Sequence, residues 1–106
     1  MKLGIIIITD DPETVWNAFR LANFSLKARD EVKVFLVGKA VEYEKHSTQK
    51  FDAVGQARSF VEAGGAILAC GTCMESRHQE GTGICPISSL RDLYGIVKES
   101  DKVVSF

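Results

Sequence analysis

Short apolar runs alternate along this chain with stretches in which apolar residues recur at helical spacing. Two runs, at residues 3–8 and 32–37, are continuous and rich in β-branched residues, and a shorter run covers residues 66–69. Such runs predict strands buried on both faces, as in a parallel sheet covered by helices. Residues 103–106 predict a short terminal strand, whose direction the pattern leaves open.

Amphipathic stretches lie between these predicted strands. Apolar positions at helical spacing predict a helix over residues 12–27, with Asp11 as its N-cap and Pro12 as its first residue. Further stripes predict a helix from about residue 51 to a Gly64-Gly65 stop and another over residues 89–100. Ser89 and Asp92 have the spacing of a capping box for that last helix. Residues 39–45 fit a short helix.

This order predicts the fold class, a three-layer α/β/α sandwich with a mainly parallel sheet of four or five strands. The chain has 106 residues, so we expect a single domain over residues 1–106. Ligands of such folds bind beyond the carboxyl ends of the strands. The loops at residues 9–13, 38–41 and 70–73 are therefore expected to meet at one edge of the sheet.

Composition excludes some classes of function. The net charge of −1 provides no basic surface for nucleic acid or for an anionic membrane. No run approaches the ~20 apolar residues that span a bilayer, and no glycine-rich nucleotide-binding motif is present. We therefore predict no cofactor. Asp10, Asp11 and Glu13 are better explained by a helix cap and solvated acids than by magnesium binding.

All three cysteines lie within sixteen residues, immediately after the third predicted strand. Clustered cysteines without a disulfide framework favour a reducing compartment, so we expect a cytoplasmic protein. Cys70 is placed where a buried strand ends and a helix begins near Gly71, and free N–H groups of that helix would stabilise its thiolate. Gly71 and Thr72 are small enough to leave the sulfur accessible, and Arg77 follows two turns later.

The other cysteines leave several chemistries open. Cys70 and Cys73 form a Cys-x-x-Cys pair, the spacing of a redox dithiol. Cys85 follows a flexible Gly-Thr-Gly segment and is a candidate second thiol that resolves or accepts sulfur from Cys70. Cys70, Cys73, His78 and Cys85 also have the residue types of a zinc site, although a domain with its own core needs no structural metal, and we predict none. His46 is expected at the surface.

The segment from residue 67 to Cys73, with Arg77 seven residues after Cys70, resembles the DsrE/DsrF-like family of small sulfur-handling proteins, which includes the TusD and YchN-type proteins. A first apolar strand, a second strand ending in Val37-Gly38 and the tail at residues 101–106 extend this resemblance over most of the chain. It implies a three-layer α/β fold and a homo-oligomer, a trimer or hexamer. By position it implies that Cys70 carries sulfur as a persulfide between partner proteins, and that Arg77 fills a common basic position.

The leading hypothesis is therefore a sulfur-relay protein, in which Cys70 takes sulfane sulfur from a donor protein and passes it to an acceptor thiol. Cys73 or Cys85 would resolve the persulfide. This makes the chain a sulfurtransferase-like carrier more than a classical enzyme. The alternatives are a dithiol redox protein or sensor that uses Cys70 and Cys73, and a metal- or ligand-binding module.

Overall fold

The computed structural model describes residues 1–77 and 87–106, and all of the strands in these ranges belong to one sheet. The strands are β1 (Lys2–Ile7), β2 (Glu31–Leu36), β3 (Ala66–Cys70), β4 (Ile87–Ser88) and β5 (Lys102–Ser105). The helices are α1 (Pro12–Lys27), α2 (Tyr43–His46), α3 (Ala53–Glu62), α4 (Gly71–Ser76) and α5 (Leu90–Glu99), and a 3₁₀ helix (Gly38–Glu42) precedes α2.

The sheet has the strand order β4-β3-β2-β1-β5, and every neighbouring pair is parallel. In the centre, Ile5 pairs with Val34 on one side and with Val104 on the other. The predicted α/β sandwich is confirmed, and the direction of the last strand, which the pattern left open, is parallel. Sequence reasoning missed β4, because a two-residue strand is too short to show a periodic pattern.

The path of the chain puts helices on both faces of the sheet. The chain moves from β1 through β2 to β3 in one direction, and right-handed crossovers then place α1 and α3 on the same face, where they pack against each other. The return from β4 to β5 carries α5 to the opposite face. There α5 contacts β1 so closely that a Cβ on Gly4 would lie 2.7 Å from Ile96 Cγ2.

The main core lies between the sheet and the layer formed by α1 and α3. Alternate residues of β1 and β2 point into it, and the rings of Phe19, Tyr43 and Phe60 fill its centre, with the Phe19 centroid 5.7 Å from that of Tyr43 and 6.2 Å from that of Phe60. Burial of these large aromatic surfaces is a major favourable term in folding. The core therefore fixes α1 and α3 on the sheet.

Local signals end the elements close to where the sequence predicts. The Asp11 carboxylate accepts the Thr14 N–H at 2.9 Å, and the Ser89 N–H donates to the Asp92 carboxylate at 3.0 Å. Gly64, with φ +101°, follows the last turn of α3. β1 ends one residue earlier than predicted, at Ile7, and the next side chain, Ile8, is 53% exposed. In the ranges described, no helix is long and apolar enough to cross a membrane.

The core predicts a strong contrast between two phenylalanines of α1. Phe19 is completely buried, whereas Phe24 is 72% exposed. We expect Phe19→Ala to lower the free energy of unfolding by about 3–5 kcal/mol, because it leaves a cavity among aromatic rings. Phe24→Ala should change it by less than about 0.5 kcal/mol. Urea denaturation measures both, and similar losses in the two variants would contradict this description of the core.

Candidate functional site: a thiol pair at the carboxyl edge of the sheet

Cys70 stands at the junction between β3 and α4. It is the last residue of β3 and the N-cap of α4, with extended backbone angles (φ −60°, ψ 116°). Its Sγ accepts the N–H of Cys73 at 3.4 Å, in the way that a serine or aspartate oxygen caps other helices. The predicted strand end, helix start and sulfur position are all found, and β3 extends one residue further than predicted.

Cys73 lies one turn into α4 and reaches a neighbouring loop. Its Sγ accepts the backbone N–H of Gly38 at 3.3 Å, and Gly38 begins the 3₁₀ helix after β2. The side chain also packs against the main core. Two of the three loops that the fold was expected to bring together are thus joined directly through this sulfur.

Arg77 ends α4 on the side of Cys73. Its Nη1 donates to the Cys73 carbonyl at 3.1 Å, and its Nε lies 3.9 Å from Glu42 Oε2. Glu42 also pairs with Lys45, whose Nζ lies 3.3 Å from Oε1. The guanidinium is therefore held between the thiol pair and the 3₁₀ helix, where its charge acts on Cys73.

The pKa values of the two thiols shift in opposite directions, because burial and a hydrogen bond between them affect the two sulfurs differently. Donation from the Cys70 thiol lowers the pKa of Cys73 below its ordinary value, and the Gly38 N–H and the Arg77 charge lower it further, against the effect of burial. The pKa of Cys70 is raised, first by burial and then by that same donation, although the N–H groups of Cys73 and Thr72 oppose the rise.

This result changes one expectation from the sequence. The N–H groups of α4 do favour a thiolate at Cys70, as expected, but they are outweighed. When the pair loses one proton, the negative charge is therefore favoured on Cys73 and the remaining proton on Cys70. Neither thiol forms a disulfide, and both are partly exposed.

Comparison with known proteins identifies the family. The family model of the DsrE/DsrF-like family matches residues 1–106. The chain belongs to the DsrE/DsrF-like family. The resemblance to this family that the sequence showed is thereby confirmed.

Relatives and solved structures agree with this assignment. The chain is 28% identical to the uncharacterized protein MJ0989 of Methanocaldococcus jannaschii over 95% of its own length and 96% of the relative's. It is 30% identical to the uncharacterized protein MK0008 of Methanopyrus kandleri, over 95% and 91%. The ychN protein from E. coli has the same fold, with a TM-score of 0.86 at 20% identity, covering 100% of this chain and 99% of that one.

A second solved structure also has this fold. The protein BT1422 from Bacteroides thetaiotaomicron superposes with a TM-score of 0.80 at 23% identity, covering 99% of this chain and 94% of that one. At identities this low, the structural similarity shows that the chain shares the fold of both solved proteins.

Two small residues beside the thiols of this DsrE/DsrF-like protein have different surroundings. Thr72 is exposed and leaves the start of α4 open to solvent, as predicted. A Cβ on Gly71 would lie 2.9 Å from Ile87 Cγ2 and 3.1 Å from the Ser88 carbonyl. The absence of a side chain at Gly71 therefore makes room for β4 beside the start of α4.

One further group of polar side chains lies at this edge of the sheet. Within the described ranges, one set of potential metal ligands has ligand atoms that all lie within 4.8 Å of one another. It consists of Asp10, Glu42 and His46. His46 Nε2 is 3.4 Å from Asp10 Oδ2, and Glu42 already pairs with Lys45 and Arg77. His46 is at the surface, as predicted, and these ion pairs account for the group. Asp11 instead caps α1.

Two residues singled out in the sequence, His78 and Cys85, lie outside the described residues. The roles suggested for Cys85, and the zinc set that combines both residues with Cys70 and Cys73, therefore stay predictions. Sequence reasoning also missed Gly38 as a donor to the Cys73 sulfur and Glu42 as a partner of Arg77. The available signal was their position after β2, in or just beyond a loop that was already expected at this edge of the sheet.

The asymmetry of the pair predicts the order of ionisation. Cys73 should react with iodoacetamide at a lower pH than Cys70, because the thiolate is the reactive form. Cys70→Ala should raise the pKa of Cys73, since it removes the S–H donor. Cys70→Ser keeps a hydroxyl donor and should raise it less. Alkylation across a pH series, with mass spectrometric fragments that separate the two positions, measures this. Earlier ionisation of Cys70 in the unmodified protein would contradict the assignment.

Proposed function

We propose that this DsrE/DsrF-like protein is a sulfur-relay protein that carries sulfane sulfur as a persulfide on Cys70 and passes it to a thiol of a partner protein. Membership of the family supports a sulfur-relay type of role in general. The observation that carries the specific proposal is the thiol pair at the carboxyl edge of β3, in which Cys70 donates a hydrogen bond that lowers the pKa of Cys73.

In the loading step, Cys70 is the nucleophile and Cys73 is the base. The Cys70 sulfur attacks the outer sulfur of a donor persulfide, R–S–SH, while its proton passes to the Cys73 thiolate. A bond forms between Cys70 and the outer sulfur, the S–S bond of the donor breaks, and R–S⁻ leaves. The products are Cys70–S–SH, protonated Cys73 and the donor thiolate, so charge and protons balance. A base within hydrogen-bonding reach is the usual means of activating a thiol.

Transfer to the acceptor runs in the opposite direction. An acceptor thiolate attacks the outer sulfur of the Cys70 persulfide, and the S–S bond to Cys70 breaks. Cys70 takes its proton back from Cys73, which restores the pair. The partly exposed sulfurs and the exposed Thr72 leave room for a partner cysteine to approach. Cys85 remains a candidate for a second thiol that resolves the persulfide or accepts its sulfur.

A dithiol redox protein or sensor is the second candidate function, and the same hydrogen bond favours it. Thiols this close can lose two protons and two electrons to an oxidant and form a Cys70–Cys73 disulfide. In that function the protein would exchange electrons with a partner dithiol or disulfide and retain no added sulfur. The two functions therefore leave different products on the protein.

Incubation with a low-molecular-weight persulfide, followed by intact-mass measurement, tests the proposal. The unmodified protein should gain one sulfur atom, located at Cys70, and Cys70→Ser should gain none. Cys73→Ser should load at least about tenfold more slowly at neutral pH, because Cys70 then lacks its base. Cys85→Ser serves as the cysteine control for loading.

Three results would count against this function. Full loading of Cys70→Ser would exclude Cys70 as the carrier. Loading of Cys73 in the unmodified protein would move the carrier role to that residue. A Cys70–Cys73 disulfide without added sulfur, under a controlled thiol redox buffer, would favour the dithiol function instead.

We also propose that the protein forms a homo-oligomer, a trimer or hexamer, through the outer face of α5. Leu90, Tyr94 and Val97 follow one another at helical spacing and are 77%, 63% and 50% exposed. An apolar stripe of this kind on a helix is typical of a surface that packs against another chain. The donor and acceptor of sulfur would be further protein partners.

Charge placed on this stripe should disrupt the assembly. Leu90→Glu combined with Tyr94→Glu is expected to weaken association by about 3 kcal/mol or more, because unpaired carboxylates would be buried in the interface. Phe24→Glu, at an exposed phenylalanine of α1, is the control. Sedimentation velocity measures the distribution of species. An unchanged assembly in the double variant, or a monomeric parent protein, would contradict the proposal.

A further inference from the structure

We propose that Gly38 is a positioning residue of the thiol pair, whose backbone N–H, directed by a left-handed backbone conformation, holds the Cys73 sulfur as an anion. The hydrogen bond from Gly38 to Cys73 does not depend on sulfur transfer. Only its use in activating Cys70 rests on the proposed function. A backbone group after β2 thereby has a share, beside the Cys70 thiol, in the choice of which cysteine carries the negative charge.

The Gly38 N–H lies just beyond the sheet and has no acceptor within its own 3₁₀ helix. The Val37 N–H donates to the Ile7 carbonyl at 3.0 Å, as the last bond between β2 and β1. Gly38 is the next residue and the first of the 3₁₀ helix, whose leading N–H groups have no acceptor within the helix. The Cys73 Sγ, 3.3 Å from this nitrogen, is the acceptor that the structure supplies.

Gly38 has a left-handed backbone conformation. Its φ is +57°, in the left-handed region that glycine enters without cost and that other residues, apart from asparagine and aspartate, avoid. Among the described residues, a Cβ at this position would meet only the Ile8 carbonyl, at an ordinary 3.8 Å. The position therefore requires the backbone angle of glycine and has space for a side chain, so conformation and steric bulk can be tested separately.

Other groups also lower the pKa of Cys73. In the described part of the chain these are the Cys70 thiol, the Arg77 guanidinium and the N–H of Cys73 itself, and Glu42 pairs with that guanidinium. Cys70 is the reaction partner, and Arg77 is a half-buried side chain that also contacts the Cys73 carbonyl and Glu42, whereas the Gly38 N–H belongs to the backbone beside the sheet. A thiolate accepts a stronger hydrogen bond than a thiol does, so a fixed donor favours ionisation of Cys73.

The test compares two substitutions at Gly38. Gly38→Ala should leave the left-handed region, which turns the N–H away from the sulfur. We expect alkylation of Cys73 at neutral pH to slow by about tenfold, because the thiolate is the reactive form. Gly38→Asn tolerates the left-handed conformation and should stay within about twofold of the unmodified protein. Gly64→Ala replaces the left-handed glycine with φ +101° before β3 and controls for general destabilisation.

A second measurement needs no substitution at Gly38. The amide proton resonance of Gly38 should shift with pH at the midpoint at which Cys73 becomes reactive, and this shift should disappear in Cys73→Ser. Equal effects of alanine and asparagine, or an amide resonance that does not follow Cys73, would overturn the inference. Neither readout uses a sulfur donor, so failure here is distinct from failure of sulfur loading. Loss of loading with a normal Gly38 titration would contradict only the proposed function.

Discussion

Parallel pairing of β1, β2 and β3 is the constraint on which the thiol site depends. In a parallel sheet every strand ends at the same edge, so the segments that follow β2 and β3 lie side by side although 35 residues separate Gly38 from Cys73. The hydrophobic core beneath α1 and α3 holds that register. A hydrogen bond from one loop to the sulfur of the other is a direct consequence of this geometry.

The chemistry of the site follows from the opposite pKa shifts of Cys70 and Cys73. A cysteine at the start of a helix receives N–H groups that favour its thiolate, yet Cys70 is also partly desolvated and donates its S–H to its neighbour. Cys73 collects the donors of three different sources, namely Cys70, the backbone of Gly38 and the charge of Arg77. Position at a strand end therefore identifies the reactive segment, and the surrounding donors decide which thiol is ionised. In the proposed sulfur transfer, this arrangement would place the nucleophile, Cys70, beside its base, Cys73.

The two faces of the sheet are unequal, and this bears on assembly. The face under α1 and α3 contains the main buried cluster, whereas among the described helices α5 alone covers part of the other face. The outer side of α5 keeps an apolar stripe in solvent. An oligomer formed through that stripe would bury apolar surface that the monomer leaves exposed, at the face of the sheet opposite the main core.

Much of the fold could be predicted from the sequence because its signals are local. Continuous β-branched runs, the Asp11-Pro12 start, the Gly64-Gly65 stop and the Ser89–Asp92 pair each act within a few residues, and the structure has the elements that they predict. The same holds for Cys70 at the end of a strand. Two-residue β4 has no such signal, and the directions of the strands depend on pairing between distant segments.

The roles of the two thiols depend on contacts that only the tertiary structure creates. The sequence by itself determined the α/β architecture, the edge at which a site forms and the placement of Cys70 and Cys73 at that edge. The tertiary structure decided that Gly38 and Arg77 both act on Cys73, and that Cys70 is the donor in the pair. The reason is physical: ionisation responds to burial and to donors a few ångströms away, and one of these donors, the Gly38 N–H, comes from the loop after another strand.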